Sequence, residues 1–315
     1  MNNDVLVLFG PTASGKTGIL LELFGHGAGL QAEVVSADSM QVYRGMDIGT
    51  AKPSPQEQAV LPHHLIDACD PSQQFNAGDF VRLAGEACSQ IIGRGKLPVV
   101  SGGTGFYLKN FILGLSEAPP SDPKIRDALK IELKEKGAKA LMEELAAADP
   151  ASADRIHIND EYRLTRALEV FRSCGRPLSS FETHRTADNG FRFIILGLSR
   201  PREELYRRIN ERCAQMFAAG LPAEVRALFQ AGYTPNDPGM RAIGYREFFV
   251  QDAGGTWHLS QDLDGVQALI AQNSRRYAKR QITFFASLPN VNWIECGGDD
   301  TKTAMQIDNL LKEKP

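Results

Sequence analysis

The chain of 315 residues lacks any long hydrophobic run. No apolar stretch approaches the roughly 18 residues that a membrane span needs. Its start, Met1 to Asp4, also lacks the basic residues and the apolar segment of a secretory signal. We therefore expect a cytoplasmic protein with no membrane partner. Hydrophobic residues still make up 43% of the chain, which is enough to fill a core.

Cysteine is scarce and irregularly spaced. The five residues are an odd number, and no pair forms a C-x-x-C motif. Neither a disulfide framework nor a zinc site is indicated, so we expect buried, unpaired thiols. The cysteines are Cys69, Cys88, Cys174, Cys213 and Cys296.

The chain also lacks an excess of positive charge. Its formal net charge is −3 and its pI is about 6.1, so nothing draws nucleic acid to the molecule as a whole. A polyanion site would need a local concentration of cations. The segment from Arg155 to Arg212 contains twelve arginines against eight acidic residues, and Arg275 to Arg280 form a second basic strip. Solvated helix faces have a similar composition, so the charge alone does not establish RNA binding.

Short apolar runs alternate with helical patterns, which predicts an α/β fold with a parallel, helix-covered sheet. Between Ser116 and Asn189 the pattern changes to helices only. We therefore predict a core formed by residues 1–115 and 191–315 and an inserted all-helical domain over 116–190. The predicted strands are Val5 to Phe9, Glu33 to Ser36, Pro98 to Ser101, Phe191 to Leu198 and Val291 to Glu295, and the first two core helices are Lys16 to Phe24 and Phe75 to Gly93.

The strongest chemical signal is the phosphate loop, Gly10-Pro11-Thr12-Ala13-Ser14-Gly15-Lys16-Thr17. It fits G-x-x-x-x-G-K-[ST] after a strand and before a helix, which is the context that this motif requires. Its amides and the helix N-terminus attract phosphate oxygens, Lys16 adds a point charge, and the Thr17 hydroxyl suits Mg²⁺. The loop does not say whether phosphate is transferred or merely leaves, because both reactions need the same neutralisation of charge.

Asp38 follows the second predicted strand. A carboxylate there lies at the C-terminal edge of the sheet, beside the phosphate loop. A kinase or an ATPase would place a metal-holding aspartate at this position, and a general base would suit it equally well.

Several segments together resemble the tRNA dimethylallyltransferase family of P-loop proteins. The resemblance runs in order from Gly10 to about Phe285 and is carried first by the phosphate loop and by Ser36 to Pro53. The other segments are His64-Leu65-Ile66-Asp67, Gly102-Gly103-Thr104, Arg163 to Val170, Arg241 to Arg246 and Lys279 to Thr283.

The resemblance implies transfer of a dimethylallyl group from dimethylallyl diphosphate to N6 of the adenine beside the anticodon, in tRNAs that read codons beginning with U. Asp38 would be the general base for the weakly nucleophilic amine. Lys16, Thr17 with Mg²⁺, Arg163 and Arg212 would stabilise the departing diphosphate. The residues implied to bind the diphosphate are Gly10, Thr12, Ala13, Ser14, Gly15, Lys16 and Thr17.

An adenine in a stacked anticodon loop must turn out of the stack to reach such a site, so a surface for the anticodon stem-loop is implied. We expect the protein to act as a monomer. The residues implied to contact tRNA are Asp38, Ser39, Met40, Gln41, Thr104, Arg126, Tyr162, Arg163, Leu164, Thr165, Arg166, Arg241, Ala242, Ile243, Gly244, Tyr245, Arg246, Lys279, Arg280, Gln281, Ile282 and Thr283.

Other functions remain open at this point. A relative that prenylates free adenine nucleotides would share the phosphate loop and Asp38 but would have little use for the inserted arginine-bearing domain. A small-molecule kinase or a nucleotide-driven switch would also use the loop, although the N-K-x-D motif of GTPases is missing. Ala286 stands where relatives often have arginine, which weakens one expected phosphate contact.

Overall fold

The computed structural model describes residues 3–25, 30–181, 190–297 and 299–312. The chain forms two compact units. One combines Met1–Ile112 with Asp188–Pro315, and the other is Leu113–Ala187. The first unit carries the sheet, and the second is built of helices.

The first unit contains a six-stranded sheet in the order β3-β2-β4-β1-β5-β8. All of its strand pairs are parallel, which confirms the predicted class. A separate antiparallel pair, β6 with β7, was not predicted, and neither was the short edge strand β3. In chain order the strands are β1 Asp4–Phe9, β2 Ala32–Ser36, β3 His63–His64, β4 Leu97–Gly102, β5 Arg192–Ser199, β6 Phe249–Gln251, β7 Trp257–Leu259 and β8 Asn292–Glu295.

The central strands are apolar on both faces because helices cover the sheet. Val5 to Phe9 are all fully buried, as expected of a parallel sheet. Strand β4 lies between β1 and β2 and pairs with both. Gly102 of β4 is opposite Phe9 of β1, and Ser101 of β4 is opposite Ser36 of β2. The loops that follow these three strands therefore leave the same edge of the sheet side by side, where open α/β folds bind ligands.

Local capping sets the helix boundaries. The third helix begins at Ala77 rather than at the predicted Phe75, because the Asn76 side chain accepts the N–H groups of Gly78 and Asp79. The helices are α1 Lys16–Phe24, α2 Pro55–Val60, α3 Ala77–Gly93, α4 Gly105–Leu113, α5 Pro123–Ala148, α6 Pro150–Ala153, α7 Glu161–Cys174, α8 Arg202–Ala218, α9 Leu221–Gln230, α10 Leu263–Phe285 and α11 Asp300–Lys312.

The helical unit has a core of its own. Helix α5 breaks at Gly137, where φ is 77°, and packs against α7 around Leu129, Leu145 and Leu168. From Ser116 to Phe181 the described residues contain helices and no strand. Residues 182–189 of the predicted insertion lie outside the described residues.

All five cysteines are free thiols. Cys88, Cys213 and Cys296 are buried as predicted, whereas Cys69 is only half-buried. Cys174 is exposed, because it lies in the last turn of α7 beyond the buried face. Among the described residues, no helix is both long enough and apolar enough to cross a membrane.

Candidate active site

The phosphate loop joins β1 to α1 through two left-handed residues. Ala13 has φ 63° and Gly15 has φ 100°, and glycine adopts this conformation without strain. The Lys16 ammonium donates to the carbonyl oxygens of Gly10 at 2.9 Å and Pro11 at 3.0 Å. Lys16 therefore lies over the loop.

Two arginines that were not predicted as site residues donate hydrogen bonds to backbone carbonyls of the phosphate loop. Arg208 Nε donates to the Ala13 carbonyl at 3.0 Å, and Arg200 Nε donates to the Ser14 carbonyl at 2.9 Å. The Arg200 side chain is fully buried, and it also pairs with Glu204 and Asp300. A four-residue spacing could have revealed Arg208, because it places Arg208 and Arg212 on one face of α8.

Asp38 lies two residues after the end of β2, and its side chain stabilises the turn that follows it. Its Oδ1 accepts the N–H groups of Met40 at 2.9 Å and Gln41 at 3.3 Å. No hydrogen bond from a described residue reaches Oδ2. The turn therefore fixes the carboxylate and leaves one oxygen available for a proton or for a substrate amine.

Three charges meet beside the loop. Burial, followed by the positive charge of Arg212, lowers the pKa of Lys16 to about 8, and the Asp38 carboxylate acts in the opposite direction. Burial also lowers the pKa of Arg212, and the negative charge of Asp38 again acts in the opposite direction. Neither cation forms a salt bridge within the described ranges. Two desolvated cations with one nearby carboxylate make a site that favours a polyanion.

A cavity of about 430 Å³ adjoins Arg212. The apolar part of its wall comes from Ile48, Ala51, Pro53 and Met216. The cavity thus combines a cation with an apolar lining. Its other lining residues are Asp47, Lys52, Ser54, Pro55, Gln58, Asp67, Gln215 and Ala219.

One wall of this cavity is held by Glu224, which was not predicted. Its carboxylate accepts the N–H groups of Asp47, Ile48 and Gly49, and it also accepts the Tyr245 hydroxyl at 2.6 Å. Tyr245 is fully buried, and a Cβ on Gly49 would lie 2.5 Å from its ring. Within the Arg241–Arg246 segment, Ala242, Gly244 and Tyr245 are therefore buried, whereas Arg241 and Arg246 are exposed and Ile243 is half-buried.

The predicted contact residues near Asp38 are linked to the next loop. Ser39 N–H donates to the Thr104 hydroxyl at 2.9 Å, and Thr104 N–H donates to the Ala37 carbonyl at 3.1 Å. The Gln41 amide turns inward, where it donates to the Thr50 and Ala51 carbonyls. The structure thus brings the loops after β2 and β4 together.

Helix α10 presents a mixed set of predicted residues. Lys279, Arg280, Ile282 and Thr283 are exposed, whereas Gln281 is only 5% exposed. Among the described residues, neither Lys279 nor Arg280 has a carboxylate partner. Lys279 and Arg280 therefore place uncompensated positive charge on the surface of α10.

Six of the eleven described Lys and Arg residues of the helical unit form salt bridges. Arg163 is exposed and pairs with Asp160 at 3.0 Å. Arg126 and Arg166 both pair with Glu169, which is 1% exposed. Thr165 donates to a backbone carbonyl of its own helix, Leu164 belongs to the core, and Tyr162 is 71% exposed. Their predicted contacts with substrate stay predictions.

Ion pairing also corrects the charge count for the segment from Arg155 to Arg212. Three of its described arginines form salt bridges with carboxylates outside the segment, so the excess of arginines over acidic residues within it overstates the free charge. The three are Arg172, Arg192 and Arg200.

The chain matches the family model described as IPP transferase over residues 41–288. It is 48% identical over 292 residues to a Geobacter sulfurreducens protein named tRNA dimethylallyltransferase, covering 92% of this chain and 91% of that one. A protein of the same name from Geobacter metallireducens is 47% identical, with 93% of each chain covered.

Solved structures give the same result. The full-length tRNA isopentenylpyrophosphate transferase of Bacillus halodurans is 36% identical, with a TM-score of 0.68 over 99% of this chain and 96% of that one. A eukaryotic dimethylallyltransferase acting on tRNA is 25% identical, with a TM-score of 0.78 over 99% of this chain and 80% of that one. By these matches, which span nearly its whole length, the chain belongs to the IPP transferase family of tRNA dimethylallyltransferases.

Proposed function

We propose that this enzyme transfers the dimethylallyl group of dimethylallyl diphosphate to N6 of the adenine beside the anticodon of a tRNA, in the cytoplasm. The observation that carries the proposal is the meeting of desolvated Lys16 and Arg212 with Asp38 at the phosphate loop. Such a site can neutralise a leaving diphosphate and receive a proton within the same small volume. The names of the relatives support tRNA as the acceptor.

In the proposed reaction the bond between C1 and the diphosphate oxygen breaks, and a bond between N6 and C1 forms. The adenine amine is a weak nucleophile, and Asp38 Oδ2 takes its proton as the new bond develops. Lys16, Arg212 and the loop amides stabilise the charge that collects on the diphosphate. The apolar wall of Ile48, Ala51 and Met216 beside Arg212 suits the dimethylallyl group.

Mg²⁺ fits the site only if the substrate supplies most of its ligands. The Thr17 hydroxyl at the start of α1 has no hydrogen-bond partner among the described residues. The described residues also contain no cluster of three or more acidic, His or Cys side chains that could hold a metal. Thr17 would hold the ion together with diphosphate oxygens, and the ion would neutralise part of their charge.

A parallel labelling assay tests the proposal. The protein is incubated with labelled dimethylallyl diphosphate, Mg²⁺ and unmodified tRNA, and separately with AMP in place of tRNA. We expect label in tRNA only, with transfer reduced by EDTA and restored by added Mg²⁺. Label in AMP but not in tRNA, or ATP turnover without prenyl transfer, would overturn the proposal.

A further inference from the structure

Gln281 is buried between two loops that the reaction uses. It lies on α10, between the exposed Lys279 and Thr283, and is 5% exposed. Its Oε1 accepts the Thr12 N–H at 2.9 Å, and its Nε2 donates to the Gly103 carbonyl at 2.7 Å. Both ends of one amide are thus committed, one to the phosphate loop and the other to the turn after β4.

The turn after β4 is hydrogen-bonded to the residues on either side of Asp38. Thr104 follows Gly103, and its hydroxyl accepts the Ser39 N–H beside Asp38 at 2.9 Å. Thr104 N–H also donates to the Ala37 carbonyl, so Asp38 has anchors on both sides. A continuous path therefore runs from Thr12 through Gln281 and Thr104 to the carboxylate.

The Gln281 amide packs closely against Gly103. A Cβ on Gly103 would lie 2.5 Å from Gln281 Nε2, so this contact requires glycine at position 103. One turn earlier on α10, the Tyr277 hydroxyl donates to the same Gly103 carbonyl at 3.4 Å, and burial raises the pKa of Tyr277 to about 12. Buried amides of this kind are held firmly, because leaving a buried polar group without a hydrogen-bond partner is destabilising.

We propose that Gln281 is a positioning residue that fixes the separation between the phosphate loop and Asp38, and so between the leaving group and the base. This inference rests on the proposed function. It differs from the tRNA contact that the sequence implies for this position, because the side chain faces inward and both polar atoms are used. A small displacement of positioned groups lowers a rate strongly.

The first test is Gln281→Leu, with Gln272→Leu on the exposed face of the same helix as the matched control. We expect Gln281→Leu to lower kcat about tenfold or more and to raise the dissociation constant for inorganic diphosphate severalfold. The dissociation constant for tRNA should stay within twofold of wild type. The control variant should match wild type in all three measurements.

A second variant approaches the same contact from the other side. Gly103→Ala places a methyl carbon 2.5 Å from Gln281 Nε2 and so displaces the amide. It should therefore reproduce the kinetic change while residue 281 remains glutamine. If loss of the Gln281 hydrogen bonds to Thr12 and Gly103 is the common cause, the double variant should be no slower than either single variant. Independent effects on the rate would multiply instead.

Other outcomes overturn the inference. Gln281→Leu could lower the melting temperature while kcat per folded molecule and diphosphate affinity stay at wild-type values, which would leave only a structural role. A loss confined to tRNA binding would restore the contact role. Absence of transfer by the wild-type protein would instead overturn the proposed function, and diphosphate binding by calorimetry would still report on the Gln281 hydrogen bonds.

Discussion

Lys16 and Arg212 at the phosphate loop and Arg172 in the helical unit have opposite electrostatic settings. At the loop, burial lowers the pKa of Lys16 to about 8 and also lowers that of Arg212. In the helical unit, Arg172 donates hydrogen bonds to Glu132 and Glu144, and these raise the pKa of Arg172. Arg172 and Lys136 in turn lower the pKa of Glu132 to about 2. Compensated cations hold structure together, whereas uncompensated, desolvated cations mark the place where an anion binds.

The largest expected effect comes from the carboxylate that faces the uncompensated cations. Asp38→Asn keeps an oxygen to accept the Met40 and Gln41 N–H groups but cannot take a proton. We expect kcat to fall by on the order of 10² or more, with only a modest change in tRNA affinity. Single-turnover transfer with saturating tRNA measures this effect. A variant that transfers at the wild-type rate but binds tRNA poorly would make Asp38 a recognition residue.

The lowered pKa of Lys16 predicts a pH dependence. As the pH rises through about 8, the free enzyme loses the ammonium charge, so affinity for inorganic diphosphate should fall by up to about tenfold per pH unit above that value. Calorimetry between pH 7 and 9.5 measures it. Lys16→Arg carries a charge that does not titrate in this range, so its weaker binding should lack this bend. An identical bend in both proteins would assign the pH dependence to the ligand or to another group.

A matched pair of substitutions compares the two settings directly. Arg212→Gln should lower kcat/KM for dimethylallyl diphosphate about tenfold or more with little change in melting temperature. Arg172→Gln breaks pairs with Glu132 and Glu144 and should cost about 1 kcal/mol of stability, with kinetics unchanged. Thermal unfolding and steady-state kinetics on both proteins check this. The reverse pattern would contradict the comparison.

The smallest effects are expected on the exposed strip of α10. Lys279→Ala and Arg280→Ala should each weaken tRNA binding a few-fold and reduce the slope of log affinity against log salt by about 1. Arg207→Ala is the control, because Arg207 already pairs with Glu211 at 2.7 Å. Equal slopes for all three variants would mean that ion pairing does not separate RNA contacts from structural charges.

The sequence predicted the sheet, the phosphate loop and the neighbouring position of Asp38 because these depend on local patterns. Strand β1 and helix α1 have strong periodicity, and parallel strands end at one edge. The carboxylate of Glu224 and the guanidinium of Arg208 were missed because each acts on backbone groups far away in sequence. The four-residue spacing of Arg208 and Arg212 indicates a shared helix face, but no local pattern specifies the distant backbone groups that Arg208 and Glu224 contact. The inward orientation of the Gln281 side chain could not be predicted for the same reason, because its partners are far away in sequence and its neighbours on α10 are exposed.

The phosphate loop lies near the start of the chain, yet its supports come from the other end. Ser14 is held by Arg200, 186 residues later, Ala13 by Arg208, 195 residues later, and Thr12 by Gln281, 269 residues later. A ribosome releases these supports only near the end of synthesis. The growing chain would therefore carry its phosphate motif without a finished binding site, and competence for the diphosphate should appear only after α10 has emerged and folded.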